Sequence, residues 1–182
     1  CSSDLHPLAI QDAPDEVWNV PLLIVAVDSN EARHYINLRS FACSPPPFVI
    51  NGATGRTFLE VQILLPGYTS CLVCTWSRQY LDRLFRRIVR ESCDRFFYRT
   101  REYFPAISVL NSVIGGMMAS EAVKILVGFE RWRQEGKWED EHIPQLGNAL
   151  RYDIGSHEFF IGKIIPNPDC VEVFCRDCRR GR

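Results

Sequence analysis

The chain has almost no net charge, because its 21 Lys and Arg residues are balanced by 22 Asp and Glu residues, which leaves −1 at pH 7. Because neither charge sign is in marked excess, the protein has no overall positive electrostatic field that would attract nucleic acid or anionic membranes. The first residues do not have the pattern of a secretory leader, and no internal repeat is present. The longest apolar run, 107–128, is not free of polar residues, since it contains Glu121, Lys124 and a Gly-Gly pair. It therefore predicts a buried helix and not a membrane span.

Two widely separated pairs of cysteines are the most informative feature that the chain does contain. They are Cys71-x-x-Cys74 and Cys175-x-x-Cys178. Each pair presents two thiols from one tight turn, and two such turns give the tetrahedral sulfur set that zinc prefers. We therefore expect a structural zinc ion in a cytoplasmic protein, with a redox pair or disulfide bonds as the alternative.

The identity of the fourth zinc ligand remains open from the residues alone. Cys170 follows an Asn-Pro dipeptide and lies five residues before Cys175. Either Cys170 with Cys175, or Cys175 with Cys178, can complete the site. Hairpin-turn geometry favours the second pair, so the predicted ligands are Cys71, Cys74, Cys175 and Cys178.

The pattern of apolar residues predicts an α/β fold. Residues 1–19 have no clear periodicity and are interpreted as a loop or the end of a preceding element, and 20–182 as one domain. Residues 20–27 predict a strand that is buried on both faces, and Ser29 is expected to cap a helix over 30–42. The remaining elements are strands over 48–51 and 57–65, a helix over 77–102, a helix from Pro105 that stops at Gly128, an exposed excursion over 129–148, and a hairpin of 150–154 and 158–165.

Asp28 is a candidate ligand-binding residue because it follows a predicted strand and precedes a helix. Ligands of open α/β sheets bind at this edge, and a carboxylate there can hold magnesium beside phosphate oxygens. Helix capping is the simpler explanation for such an aspartate. Arg33 lies one turn into the helix, where it can face a phosphate or a subunit partner, or form a surface salt bridge.

The order of these segments resembles the ThiF/MoeB/HesA family, the bacterial relatives of ubiquitin-activating enzymes. Four elements carry the resemblance: a stretch with Asp28, Arg33, Ile36 and Asn37, a Pro66-Gly67-x-x-x-Cys-x-x-Cys motif, a Gly-rich helix with Glu121 and Lys124, and the terminal cysteines. The resemblance implies the C-terminal part of a Rossmann-like ThiF-type fold, with a mixed sheet flanked by helices and a zinc-fastened tail.

The resemblance also implies a function, the ATP-dependent adenylation of the C-terminal carboxylate of a ubiquitin-like or sulfur-carrier protein. Asp28 would then lie at the site of ATP and magnesium, and Arg33 is the second candidate residue for that site. Related enzymes are dimers with the Gly-containing helix region buried, so a homodimer is expected. The family's phosphate-binding GxGxxG loop does not occur ahead of Asp28. This chain alone is therefore expected to be inactive.

A catalytic thiol is less clearly indicated. Related enzymes that form thioesters place a cysteine shortly before the proline that opens the last long helix, and no cysteine lies directly before Pro105. Cys93 is the nearest candidate, in a cationic stretch that would lower a thiol pKa, and a half-buried structural cysteine is the alternative. Cys43 is a weaker candidate.

Two other functions are compatible with the sequence. The first is a non-catalytic dimerisation or docking scaffold that uses the Arg-rich helix, whose arginines are Arg78, Arg83, Arg86, Arg87, Arg90, Arg95, Arg99 and Arg101. The second is a zinc-dependent nucleic-acid binder, which the near-zero net charge argues against.

Overall fold

A five-stranded mixed sheet forms the centre of the computed structural model, which describes residues 9–55, 57–93, 108–138, 143–167, 170 and 175. The strands are β1 (Leu22–Val25), β2 (Phe48–Thr54), β3 (Phe58–Leu64), β4 (Asn148–Asp153) and β5 (Glu158–Lys163), and they lie side by side in chain order. β1 and β2 are parallel, and the other three pairs are antiparallel. The predicted α/β class with a mixed sheet is therefore confirmed.

The two faces of the sheet carry different helices because side chains alternate along each strand. Helix α1 (Asn30–Ala42) lies on the face of Val49 and Leu64, where the buried cysteines also pack. Helix α3 (Ser108–Glu135) lies on the opposite face, against Phe48, Ile50 and Val61. Helix α2 spans Arg78–Cys93, and its apolar residue Leu81 packs on the α1 side.

Helix α1 has the bounds that the sequence predicts. The Ser29 hydroxyl accepts a hydrogen bond from the Ala32 backbone N–H at 3.1 Å, which satisfies one of the free donors of the first turn. The prediction for β1 is only partly right. Ile24 is 56% exposed, so this strand is not buried on both faces within the described residues.

Helix α3 does not stop at Gly128 as predicted. A Cβ atom at Gly128 would lie 2.6 Å from the ring of Trp138, so this glycine allows a close approach and does not end the helix. Gly136 ends it instead, with φ of +69° and a hydrogen bond from its N–H to the Trp132 carbonyl at 2.8 Å. The predicted excursion is therefore partly helix, and Trp132 and Trp138 both pack against Phe48.

Only one side of α3 packs against the sheet. Its core residues recur every three or four positions, namely Leu110, Ile114, Met118, Ala122 and Ile125. The opposite side exposes Val109, Val113, Val123, Leu126 and Val127, and a Cβ atom added at Gly115 or Gly116 would meet no described atom within 4 Å. From Val109 the helix is long and apolar enough to cross a membrane, but the packed side is that of a core helix.

Candidate functional site

Four cysteines from distant parts of the chain converge on one buried point. Cys71 is the N-cap of a short 3₁₀ helix, Leu72–Thr75, and Cys74 lies within it and donates its N–H to the Cys71 carbonyl at 3.1 Å. Cys170 and Cys175 come from the C-terminal region. The Cys71 sulfur lies 3.6 Å from that of Cys74 and 3.7 Å from that of Cys170, and Cys74 lies 3.3 Å from Cys175.

The spacing of these sulfur atoms suits a tetrahedral metal ion. All four lie within 4.8 Å of one another and all four residues are buried. Zinc–sulfur bonds of about 2.3 Å at tetrahedral angles place the sulfurs about 3.8 Å apart. The cluster can therefore hold a metal ion with little rearrangement.

Among the described residues, Cys170 supplies the fourth sulfur of the cluster. The observed set contains the alternative pair, Cys170 with Cys175, and Cys178 lies outside the described residues. The Cys170 N–H donates to the Asn167 carbonyl at 3.0 Å. Cys170 therefore reaches the cluster without a CxxC spacing.

The sulfur atoms of the cluster shift one another's pKa values. Contact with Cys170 raises the pKa of Cys71 and lowers the pKa of Cys74. Contacts with Cys170 and Cys71 lower the pKa of Cys175 to about 7. Thiolates are the ligand form of cysteine, so the lowered pKa values of Cys74 and Cys175 favour metal binding, whereas the raised pKa of Cys71 opposes it.

Asn37 of α1 holds the first pair of cysteines in place. Its buried side-chain oxygen accepts a hydrogen bond at 3.0 Å from the backbone N–H of Leu72, the residue that follows Cys71. The sequence places Asn37 in the family-like stretch but does not reveal this contact, because it joins residues 35 positions apart.

Asp28 lies where the sequence predicts, in the connection between the end of β1 and the start of α1. The parallel strands β1 and β2 end at this edge of the sheet. Ser29 and not Asp28 caps the helix through its side chain. The N-cap position is therefore filled by Ser29, the residue that follows Asp28.

Arg33 is directed into this edge and not toward open solvent. Its guanidinium donates to the side-chain oxygens of Asn51 and Asn30 and to two backbone carbonyls, those of Val27 and Gly52. Burial lowers the pKa of Arg33, and the nearby carboxylate of Asp28 counteracts part of this effect. Arg33 therefore belongs to a largely buried hydrogen-bond network and does not form the surface salt bridge that was one alternative from the sequence.

The two candidate nucleophiles lie elsewhere. Cys93 is the last residue of α2, and its side chain lies outside the described part of the chain. The Cys43 sulfur lies 3.5 Å from the Trp18 carbonyl and is not part of the cysteine cluster. Burial raises the pKa of Cys43, which makes it a poor nucleophile.

Residues 4–171 match the model of the ThiF family. The chain belongs to this family. The resemblance inferred from Asp28, Arg33, the cysteine pairs and the Gly-rich helix is therefore confirmed. The search of curated proteins gave no match.

Solved structures share the fold of this ThiF-family chain. Escherichia coli MccB with AMPCPP and selenomethionine-labelled MccA has a TM-score of 0.59 at 13% identity, over 92% of this chain and 43% of MccB. MccB with ATP gives 0.57 at 13% identity, over 92% and 43%. The heterocyclase TruD gives 0.60 at 15% identity, over 83% of this chain and 22% of TruD. The chain thus spans less than half the length of these proteins.

Proposed function

We propose that this chain is the part of an ATP-dependent adenylating enzyme that carries the Asp28 carboxylate. The observation that carries the proposal is the position of Asp28, at the edge where two parallel strands end in a ThiF-family fold. In open α/β sheets this edge binds the ligand. The structures of MccB with AMPCPP and with ATP support a nucleotide as the ligand here.

The activity is proposed for a longer polypeptide or assembly and not for residues 1–182 alone. The matched proteins are more than twice as long as this chain. Among the described residues, β1 pairs only with β2, and its apolar residue Ile24 is exposed. An additional strand that pairs with β1 would cover Ile24 and bring a phosphate-binding loop beside Asp28.

The proposed substrate is the C-terminal carboxylate of a ubiquitin-like or sulfur-carrier protein, as the family resemblance implies. A short peptide is the competing substrate, because the MccB structures contain MccA. In a second step a thiolate, for which Cys93 is the candidate, attacks the acyl-adenylate; a thioester forms as the bond to the phosphate breaks and AMP leaves.

Two metals have separate roles in this proposal. Zinc bound by Cys71, Cys74, Cys170 and Cys175 would be structural, because four thiolates leave no open coordination position for a substrate. Asp28 would hold magnesium together with the nucleotide, and the ion would neutralise charge on the phosphates. A carboxylate at the sheet edge fits this ion, since magnesium binds one or two carboxylates and keeps several waters.

Pyrophosphate–ATP exchange in the longer polypeptide tests the function. We expect exchange that depends on a carrier protein or peptide with a free C-terminus, and a large but still measurable decrease in Asp28→Asn with unchanged zinc content. The matched control is Glu135→Gln, an exposed carboxylate at the end of α3 that pairs with Arg131. Wild-type exchange by residues 1–182 alone, or full exchange in Asp28→Asn, would contradict the proposal.

A non-catalytic dimerisation scaffold is the second candidate, and the exposed stripe of α3 favours it. Val109, Val113, Val123 and Val127 are exposed along the helix, with Gly116 between them. A second copy packed on this stripe would remove it from water, and the glycine would allow close approach. Sedimentation should then show a dimer that Val123→Glu dissociates, while the exchange assay gives no activity in any variant.

A further inference from the structure

Arg33 connects the ends of the two parallel strands. It leaves the first turn of α1 and reaches the Val27 carbonyl, one residue before Asp28, and the Gly52 carbonyl in β2 at 3.2 Å. The guanidinium therefore joins the backbone that carries Asp28 to the neighbouring strand.

The donors of Arg33 are almost fully used inside the protein. Nε donates to Asn51 Oδ1 at 3.1 Å, Nη1 donates to Asn30 Oδ1 at 3.0 Å, and Nη2 donates to both backbone carbonyls. A guanidinium has five N–H groups, so one remains. Recognition of a phosphate by arginine characteristically uses two parallel N–H groups. No such pair is left on Arg33 without breaking a bond to the protein.

A buried chain of amides makes this arrangement rigid. Asn51 and its cross-strand partner Gln62 are 5% and 4% exposed. Asn51 Nδ2 donates to Gln62 Oε1 at 3.0 Å, and Gln62 Nε2 donates to Glu60 Oε1 at 3.0 Å. Because these groups are shielded from water, a change at Arg33 would leave polar atoms unpaired, which is costly. The network therefore defines one orientation for Arg33.

We propose that Arg33 is a positioning residue that fixes the backbone of Asp28, and not a ligand of the nucleotide phosphates. This inference rests on the proposed function, in which Asp28 faces magnesium and ATP. Its role is to keep the connection between β1 and α1 in one conformation. A lysine retains the positive charge, but its single ammonium group cannot form all the hydrogen bonds that the planar guanidinium donates to Val27, Gly52 and Asn51.

Kinetics in the longer polypeptide separate the two roles. For a positioning role, Arg33→Lys should lower kcat for pyrophosphate exchange by about a hundredfold, the scale of a misplaced reactive group, and leave the KM for ATP within about twofold. The double variant with Asp28→Asn should be no slower than Asp28→Asn alone, because both changes act through one carboxylate. A raised KM with unchanged kcat, or effects that multiply, would overturn the inference.

A measurement on this chain tests the inference without any activity. The Arg33 Nε–H should exchange slowly with solvent in NMR spectra, and Asn51→Ala should accelerate its exchange, while Asn148→Ala on β4 should not. Arg33→Lys should accelerate amide exchange at Asp28. Rapid exchange of Nε–H in the wild type, or unchanged exchange at Asp28, would overturn the inference. An inactive wild-type polypeptide with these exchange effects intact would overturn the proposed function alone.

Discussion

Replacement of Cys170 by serine provides the sharpest test of the metal centre. This residue is buried, and its sulfur lies 3.7 Å from that of Cys71. Serine has nearly the same shape but is a much weaker zinc ligand at neutral pH, because its hydroxyl is not ionised. The change therefore removes one ligand from the set of four and leaves the packing almost unaltered.

The expected loss follows from the number of sulfurs. Structural zinc sites contribute roughly 10–16 kcal/mol of apparent binding free energy at pH 7, so one of four thiolates supplies about 3 kcal/mol. A tenfold change in affinity corresponds to about 1.4 kcal/mol. Cys170→Ser should therefore weaken zinc binding by about a hundredfold.

Competition with a chromophoric chelator measures this affinity, and elemental analysis gives the zinc content. Cys43→Ser is the matched control, because Cys43 lies outside the cluster and its sulfur contacts backbone carbonyls that a hydroxyl can also reach. It should bind zinc as the wild type does. Cys178→Ser tests the ligand pair that turn geometry favoured, and it should also leave zinc affinity unchanged.

Two results would refute this reasoning. The first is a wild-type protein that contains no zinc and whose unfolding is unaffected by a chelator. The second is a hundredfold loss of affinity in Cys178→Ser with none in Cys170→Ser, which would restore the CxxC pair as the ligands.

Three further predictions concern stability and reactivity. Ile125→Ala in the core of α3 should lower the free energy of unfolding in urea by about 2–5 kcal/mol, whereas exposed Val123→Ala on the same helix should change it by less than about 0.5 kcal/mol. Asn37→Ala leaves the buried Leu72 N–H unpaired, so it should cost about 1–3 kcal/mol and speed zinc release to a chelator. Cys43 should react with iodoacetamide more slowly than a cysteine peptide at alkaline pH, because burial raises its pKa. Its stabilising contribution is present below the pKa of the unfolded thiol and is lost as the pH rises through the higher native pKa.

Local signals in the sequence predicted the parts of the fold that local interactions determine. The bounds of α1 follow from the Ser29 cap and are confirmed. The hairpin of β4 and β5 follows from two apolar segments around Gly155, and Asp153 Oδ1 accepts from the Gly155 N–H at 2.8 Å in its turn. These contacts join residues within three positions of each other, so a pattern along the chain can reveal them.

Contacts between distant residues account for the features that the sequence did not reveal. Glycine is the residue type that commonly ends a helix, but at position 128 it is needed because the ring of Trp138 leaves no room for a side chain. Cys170 lacks a partner at CxxC spacing, and only the folded chain brings it to Cys71, 99 residues away. The roles of Arg33 and Asn37 also depend on partners in other elements, Asn51 and Leu72. Contacts between residues far apart in the chain leave no periodic pattern in the sequence.

The cysteine cluster also constrains the order of events during synthesis. Cys71 emerges from the ribosome 99 residues before Cys170, and Cys74 emerges 101 residues before Cys175. Until the later pair has left the exit tunnel, the growing polypeptide can offer an ion only two sulfurs from this cluster. Binding of the ion by all four sulfurs therefore requires that residue 175 has left the exit tunnel.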